Sequence, residues 1–220
     1  MYGLLETLVF GEILQGARVA CLPLLVDAEM VMVLGEGDGR FLVALLASNP
    51  SCRVSVVERS PTMLALARSR LVPEWRDRVE FKSEDATRLE FPRETFDAVV
   101  THFFLDCFSR GTLSNLIPKV AASLRPSGRW FLADFVEPRK EGKGTIFQHF
   151  VLRILYAFFR TICAIEGQRV VDPRGMLNAQ GLRETNKKVF SQGLVVSLAW
   201  EKDFLSTFPQ VDYLQETAAT

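Results

Sequence analysis

The chain has 220 residues, of which 48% are apolar and 24% charged, so it has the composition of a folded domain rather than a disordered or fibrous protein. Its 26 Lys and Arg balance 26 Asp and Glu, and this zero formal charge argues against a dedicated nucleic-acid partner. Four scattered cysteines and only two histidines disfavour a metal site and a disulfide framework. We therefore expect a cytoplasmic protein without stable membrane insertion, since charged residues interrupt its long apolar stretches.

The first 135 residues alternate between helical and strand patterns. Residues 2–22 have apolar side chains at helical spacing, which predicts an amphipathic helix ending before Pro23. The continuous apolar run at 30–34 predicts a strand that is covered on both faces. Further strands are predicted at 53–57, 79–81, 96–101 and 130–134. Because helical patterns separate these strands, the sequence predicts a parallel, helix-covered sheet of the α/β class.

Beyond residue 135 the alternation stops. A charged loop at 138–144 precedes a predicted aromatic-rich helix at 146–165 and a short helix near 175–180. Two strand-like runs, 183–191 and 194–202, then flank Gln192-Gly193 and predict an antiparallel hairpin. We expect a single domain over residues 1–220, with segments at 1–24 (N-terminal helix), 30–135 (core), 138–180 (helical insertion) and 183–203 (closing hairpin).

A glycine-rich turn follows the first predicted strand. Gly35, Gly37 and Gly39 allow the backbone to turn sharply and to approach a ligand without a Cβ in between. Glu58 ends the second predicted strand, where a carboxylate can accept both hydroxyl hydrogens of a ribose. This combination predicts a nucleoside-containing cofactor at the carboxyl ends of the strands.

The spacing of the turn bears on the cofactor class. Dinucleotide-binding turns favour a third glycine at position 40, which is Arg here. Glu36 and Asp38 are also poor neighbours for a pyrophosphate. A cofactor with a cationic centre and an amino-acid tail would tolerate these acids better.

Strand, glycine turn, acid and closing hairpin together resemble the class I S-adenosylmethionine-dependent methyltransferases, and the resemblance covers residues 30–135 well. It is loosely similar to the ubiquinone/menaquinone group of that family. The resemblance implies an α/β, Rossmann-like, doubly wound and mostly parallel seven-stranded sheet with a C-terminal antiparallel hairpin. It also implies S-adenosyl-L-methionine as the cofactor.

The resemblance further implies which residues bind this cofactor. The methionine part would contact the glycine turn at Gly35, Glu36, Gly37 and Gly39, and the ribose would lie at the end of the second strand, at Glu58 and Arg59. The adenine would contact Met63 of the next helix and Asp85 and Ala86 after the third strand. Thr101 and His102, at the end of the fourth strand, would line the site.

One position departs from the family pattern. The family usually has an acid two residues before the first glycine, where this chain has Val33. Glu36 or Asp38 could substitute for it, or cofactor binding could be weaker. This departure motivates an alternative hypothesis, a non-catalytic cofactor-binding protein.

Two candidate catalytic residues follow the fourth predicted strand. His102 could act as a base near neutral pH, or it could only line the cofactor cleft. Asp106 could orient His102 or bind substrate, or it could cap the following helix.

The predicted function is methyl transfer to a small, partly apolar acceptor molecule. The aromatic segment 146–165 could roof the acceptor pocket or form an ordinary core helix. The N-terminal helix could close over the same face as a lid, or it could only stabilise the domain. An NAD-dependent oxidoreductase is a further alternative, which the missing third glycine disfavours.

Overall fold

The computed structural model describes residues 2–136 and 171–203, with side chains from residue 11 onward except Gln192. The helices are α1 (Tyr2–Val19), α2 (Arg40–Ser48), α3 (Pro61–Ser69), α4 (Arg110–Ser123) and α5 (Arg174–Asn178). The strands are β1 (Met30–Leu34), β2 (Arg53–Val57), β3 (Val79–Lys82), β4 (Phe96–His102), β5 (Leu124–Phe135), β6 (Leu182–Phe190) and β7 (Val195–Lys202). The predicted aromatic helix at 146–165 lies outside the described residues.

The strands form one seven-stranded sheet in the order β3-β2-β1-β4-β5-β7-β6. Strands β1 to β5 pair in parallel, whereas β7 pairs antiparallel with β5 and with β6. The predicted α/β sheet with its closing hairpin is therefore confirmed. The strand order reverses between β1 and β4, and in such sheets ligands bind beyond the carboxyl ends of the strands at this point.

Helices cover both faces of the sheet, which explains the continuous apolar run of β1. Val31 and Val33 pack with the apolar face of α2, while Met32 and Leu34 belong to the opposite core layer with α4. Alternate side chains of a strand point to opposite faces, so a strand between two helical layers must be apolar at every position.

Strand β5 begins six residues before the predicted start at Trp130. Leu124 pairs with Phe96, and the register then shifts so that Arg129 pairs with Ala98. Ser127 within this irregular stretch has a φ of 59°. A bulge of this kind keeps a segment in the ladder although its Pro and Gly residues are typical of a loop.

The second half of α1 packs on the sheet. Ala17 is fully buried in a cluster with Ala133 and Phe135 of β5. Val195 at the start of β7 and Leu194 just before it complete this cluster. This contact stabilises the fold and lies near the carboxyl end of β5. The lid function of α1 stays a prediction.

Asn49 connects the chain before β1 to the chain before β2. Its side chain is fully buried, and its Nδ2 donates to the carbonyls of Leu25 (2.7 Å) and Ala28 (2.8 Å). Its Oδ1 accepts from the N–H groups of Ser51 and Cys52, each at 3.1 Å. One side chain thus satisfies four backbone groups at the amino-terminal edge of the sheet.

We expect Asn49→Ala to lower the free energy of unfolding by about 2–4 kcal/mol, because it leaves buried backbone groups without partners. Urea unfolding at neutral pH measures this change. Asn178→Ala, at an exposed position near the end of α5, is the control and should change stability by less than about 0.5 kcal/mol. Equal stability of the two variants would contradict the role given to Asn49.

Candidate active site

The glycine turn joins β1 to α2, and all three glycines have positive φ, at 70°, 69° and 87° for Gly35, Gly37 and Gly39. A Cβ on Gly35 would overlap the ring of Phe104, and a Cβ on Gly39 would lie 2.7 Å from the Cα of Ala67. A Cβ on Gly37 would meet nothing within 4 Å. Packing therefore requires Gly35 and Gly39, whereas Gly37 borders open space.

Glu58 links this turn to the end of β2. Its Oε2 accepts from the N–H of Gly37 at 3.2 Å, and its Oε1 accepts from the N–H of Ser60 at 2.9 Å. The side chain is half-buried, so the same carboxylate retains access to the open space beside Gly37. A hydrogen bond therefore joins Glu58 to the glycine turn, while the ribose-binding role of Glu58 stays a prediction.

The predicted adenine-binding residues follow β2 and β3. Met63 is half-buried in the first turn of α3, which Ser60 caps by accepting from the N–H of Met63 at 3.3 Å. Asp85 is half-buried, and its Oδ1 accepts from the N–H (3.0 Å) and the hydroxyl (2.7 Å) of Thr87. The hydroxyl of Thr87 is the main reason why the pKa of Asp85 is lowered.

Ala86 is buried and Arg59 is exposed beside Glu58. Because β1, β2 and β3 are parallel neighbours, their carboxyl ends place the glycine turn, Glu58 and Asp85 along one edge of the sheet. The cofactor roles of these residues stay predictions.

Val33 is 2% exposed and lies in the apolar layer against α2, so no acid reaches the turn from this position. Of the two proposed substitutes, Asp38 forms ion pairs with Arg40 (2.8 Å) and Arg70 (3.1 Å) at the surface. Glu36 is buried, and its Oε1 accepts from the N–H of Leu42 at 2.9 Å.

Glu36 therefore satisfies a free N–H group in the first turn of α2, where the N-cap residue Gly39 has no side chain to do so. Burial raises the pKa of Glu36 to about 8, although the Leu42 hydrogen bond and the charge of Arg18 oppose the change. Of the two acids, Glu36 is therefore the one that faces inward from the turn, and its role as the substitute acid stays a prediction.

Thr101 and His102 end β4 in buried positions. The hydroxyl oxygen of Thr101 accepts from the indole N–H of Trp130 at 2.9 Å. His102 packs edge-on to Phe41, with its Nε2 3.8 Å from the Sγ of Cys21. Burial, reinforced by the charge of Arg18, lowers the pKa of His102 to about 3.

An imidazole with such a low pKa is neutral at pH 7 and accepts a proton poorly, which disfavours the general-base role of His102. The N-cap of α4 is Ser109, whose Oγ accepts from the N–H of Thr112 at 3.2 Å. The alternative that Asp106 caps this helix is therefore wrong.

Asp106 lies beside a carboxylate that the sequence reasoning missed. Asp106 follows β4, Asp134 lies near the end of β5, and both line a cavity of about 260 Å³. They are 7% and 5% exposed. Burial raises the pKa of Asp106 to about 6, and burial together with the charge of Asp106 raises the pKa of Asp134 well above its usual range.

The sequence reasoning missed Asp134 at the cavity and Arg18, which contacts Phe103 after β4. Asp134 ends an apolar strand with an acid, just as Glu58 follows the apolar β2. Arg18 is a lone cation at the end of α1, and its guanidinium carbon lies 5.1 Å from the ring centre of Phe103. The location of that ring depends on tertiary packing, which helical periodicity does not report.

Among the described residues, no group of three or more His, Cys, Asp or Glu side chains is arranged to hold a metal ion. Nor is any helix in the described ranges both long and apolar enough to cross a bilayer.

Comparison with known proteins identifies the family. Residues 31–128 match the family model described as "Methyltransferase domain". The demethylmenaquinone methyltransferase of Thermus thermophilus is 30% identical over 156 residues, which are 70% of this chain and 70% of that protein. Other curated relatives match over about half of their own length, for example 54% of a Mycobacterium demethylmenaquinone methyltransferase.

Two solved structures share the fold at low sequence identity. Mitomycin 7-O-methyltransferase is 19% identical with a TM-score of 0.66, over 87% of this chain and 54% of that one. The 1,6-didemethyltoxoflavin-N1-methyltransferase of Burkholderia thailandensis, solved with its acceptor and S-adenosylhomocysteine, is 19% identical with a TM-score of 0.62, over 87% of this chain and 78% of that one. On the sequence match to the Thermus enzyme, this chain belongs to the class I S-adenosylmethionine-dependent methyltransferases.

Proposed function

We propose that this chain transfers a methyl group from S-adenosylmethionine to a small hydroxylated aromatic acceptor of the quinol type. The observation that carries the proposal is the division of the carboxyl edge of the sheet. The glycine turn and Glu58 lie at the ends of β1 and β2, while a cavity of about 260 Å³ lies at the ends of β4 and β5. Donor and acceptor would then meet across the reversal in strand order.

The residues at the first of these places fit the cofactor. Gly37 leaves open space beside the half-buried carboxylate of Glu58, so a ribose can approach that carboxylate closely. When bound, S-adenosylmethionine supplies a methyl group on a sulfonium sulfur, which leaves as a neutral thioether. Glu58 would accept the ribose hydroxyl hydrogens, and Asp85 and Met63 would hold the adenine.

The second place suits a small, largely apolar acceptor. Leu132, Phe135, Val196 and Leu198 contribute apolar walls to the cavity, while Asp106 and Asp134 supply carboxyl groups. The Thermus relative is named for methyl transfer to demethylmenaquinone, whose head group is a naphthoquinone. A flat aromatic ring with hydroxyl groups matches both the apolar walls and the polar end of this cavity.

The direct test is anaerobic incubation with methyl-labelled S-adenosylmethionine and 1,4-naphthoquinol. We expect label in a methylated naphthoquinol, and none with 1,4-dimethoxynaphthalene, which has the same ring without hydroxyl groups. Cofactor binding is measured separately by calorimetry. Binding without transfer to naphthoquinol or to simpler phenols would overturn the proposed activity and favour the non-catalytic alternative.

Gly37→Val should abolish cofactor binding while the fold survives. A valine there fills the open space beside Glu58, and we expect affinity to fall at least about tenfold. Gly193→Val is a matched control, because Gly193 also has positive φ (98°) and its Cβ would meet nothing within 4 Å. Both variants carry backbone strain of about 1–3 kcal/mol. Calorimetry should show loss of binding for Gly37→Val alone, and equal affinity would mean that the turn only connects β1 to α2.

Glu58→Ala should weaken cofactor binding by about 1.5–3 kcal/mol, because charge-assisted hydrogen bonds to the ribose are lost. The control is Glu84→Ala, which removes an exposed acid near the same edge of the sheet. Titration of each variant with S-adenosylhomocysteine avoids any contribution from turnover. Unchanged affinity in Glu58→Ala would contradict the ribose assignment.

A further inference from the structure

Asp134 is a buried acid whose carboxylate is poorly paired within the described residues. It is 5% exposed, and neither of its carboxylate oxygens forms a hydrogen bond of ordinary geometry within the described residues. The N–H groups of Phe103 and Phe104 favour its charged form, but they only partly offset burial and the neighbouring charge of Asp106. An unpaired buried carboxylate costs several kcal/mol, which usually indicates a functional role.

Asp106 lies in a short 3-10 helix (Leu105–Cys107) after β4, Asp134 lies on the neighbouring β5, and both line the same cavity. Two carboxyl groups that interact strongly in a buried site cannot both be ionised easily, so they hold one proton between them. In the part of the chain that the structure describes, the other titratable or charged groups facing this pair are Cys107, whose Sγ lies 3.6 Å from Oδ1 of Asp106, and Asp172 and Arg174 in the lining of the cavity. The lining contributed by β7 is apolar.

We propose that Asp106 and Asp134 form a proton-sharing pair that binds and deprotonates the hydroxyl group of the methyl acceptor. This inference rests on the proposed function and deepens it, because it selects acceptors that must lose a proton to react. It also assigns a role to Asp134, and it replaces His102 as the base.

The acceptor hydroxyl gives its proton to the ionised member of the pair, and the resulting phenolate raises the electron density of the adjacent ring carbon. That carbon forms the bond to the methyl group as the bond from methyl to sulfur breaks, and the electron pair of that bond stays on sulfur. The ring carbon then releases its hydrogen to water as a proton, and the pair returns its proton to the acceptor oxygen.

The hydrogen-bonding groups of the pair suit a neutral hydroxyl. With one shared proton the pair carries a single negative charge, while Asp172 and Arg174 in the lining form an ion pair (3.7 Å) whose charges offset each other. A neutral hydroxyl can donate to the ionised carboxylate and can accept from the protonated one, so it satisfies both members.

The test compares wild type with Asp134→Asn and Asp106→Asn, which keep the shape but cannot ionise. Calorimetry with 2-naphthol at pH 7 should show about tenfold weaker binding in each variant, because a charge-assisted hydrogen bond is replaced by a neutral one. Binding of 2-methoxynaphthalene, which has no hydroxyl proton, should be the same in all three proteins. Glu74→Gln, which removes an exposed acid that does not line the cavity, should behave as wild type.

Methyl transfer to 1,4-naphthoquinol should fall about 100-fold or more in kcat in either variant, the usual contribution of a general base. The KM for S-adenosylmethionine should stay within about twofold.

A readout without ligand tests the shared proton. The pKa values of both acids are raised in the folded protein, so their contribution to stability is present at low pH and is lost as pH rises through about 6 for Asp106 and through a pKa well above the usual range for Asp134. The Tm advantage of Asp134→Asn over wild type should therefore grow from pH 5 to pH 8.

Several outcomes would overturn the proposal. They are unchanged 2-naphthol affinity in both variants, a Tm difference that is constant with pH, or a preference of wild type for 2-naphthylmethylamine that depends on Asp134. If the variants change 2-naphthol binding and the Tm difference as expected but wild type methylates no hydroxylated aromatic compound, the site stands and the proposed function fails.

Discussion

The turn from β1 into α2 is the constraint on which the rest of the site depends. Its backbone takes left-handed conformations at three positions and passes so close to α3 and to Phe104 that two of them admit no Cβ. The N–H of Gly35 donates to the carbonyl of Val57 at 2.9 Å, and that of Gly37 donates to Glu58. The turn therefore couples β1 to the end of β2 and orients both toward the same space.

A second consequence of this architecture is the concentration of buried polar groups at the carboxyl edge. Glu36, His102, Asp106 and Asp134 are each less than 10% exposed, and burial is the largest cause of the shift in every one of their pKa values. Each buried group lowers stability unless it is paired, and Glu36 is paired by capping α2. The apolar layers on both faces of the sheet supply the stability that makes such an edge tolerable.

The sheet also separates the two halves of the proposed chemistry. The ends of β1, β2 and β3 carry the glycine turn, the Glu58 carboxylate and the half-buried Asp85, to which the proposal assigns the nucleoside part of the cofactor. Ends of β4 and β5 offer apolar walls and two acids, which suit an aromatic hydroxyl compound. Since adjacent parallel strands lie about 4.8 Å apart, a donor on one side and an acceptor on the other can meet without large motion.

The sequence by itself determined the α/β class, the order of strands and motifs along the chain, the glycine turn and the acid after β2. These features are readable because strand periodicity and glycine spacing are local properties. It also indicated the closing hairpin from two short runs around Gln192-Gly193. Only the tertiary structure decided that His102 is buried beside Cys21 and Phe41 and is weakly basic, that Ser109 rather than Asp106 caps α4, and that Asp134 faces Asp106. These properties depend on which side chains from distant segments share a buried space, because desolvation and like-charge repulsion act through space and leave no mark on local spacing.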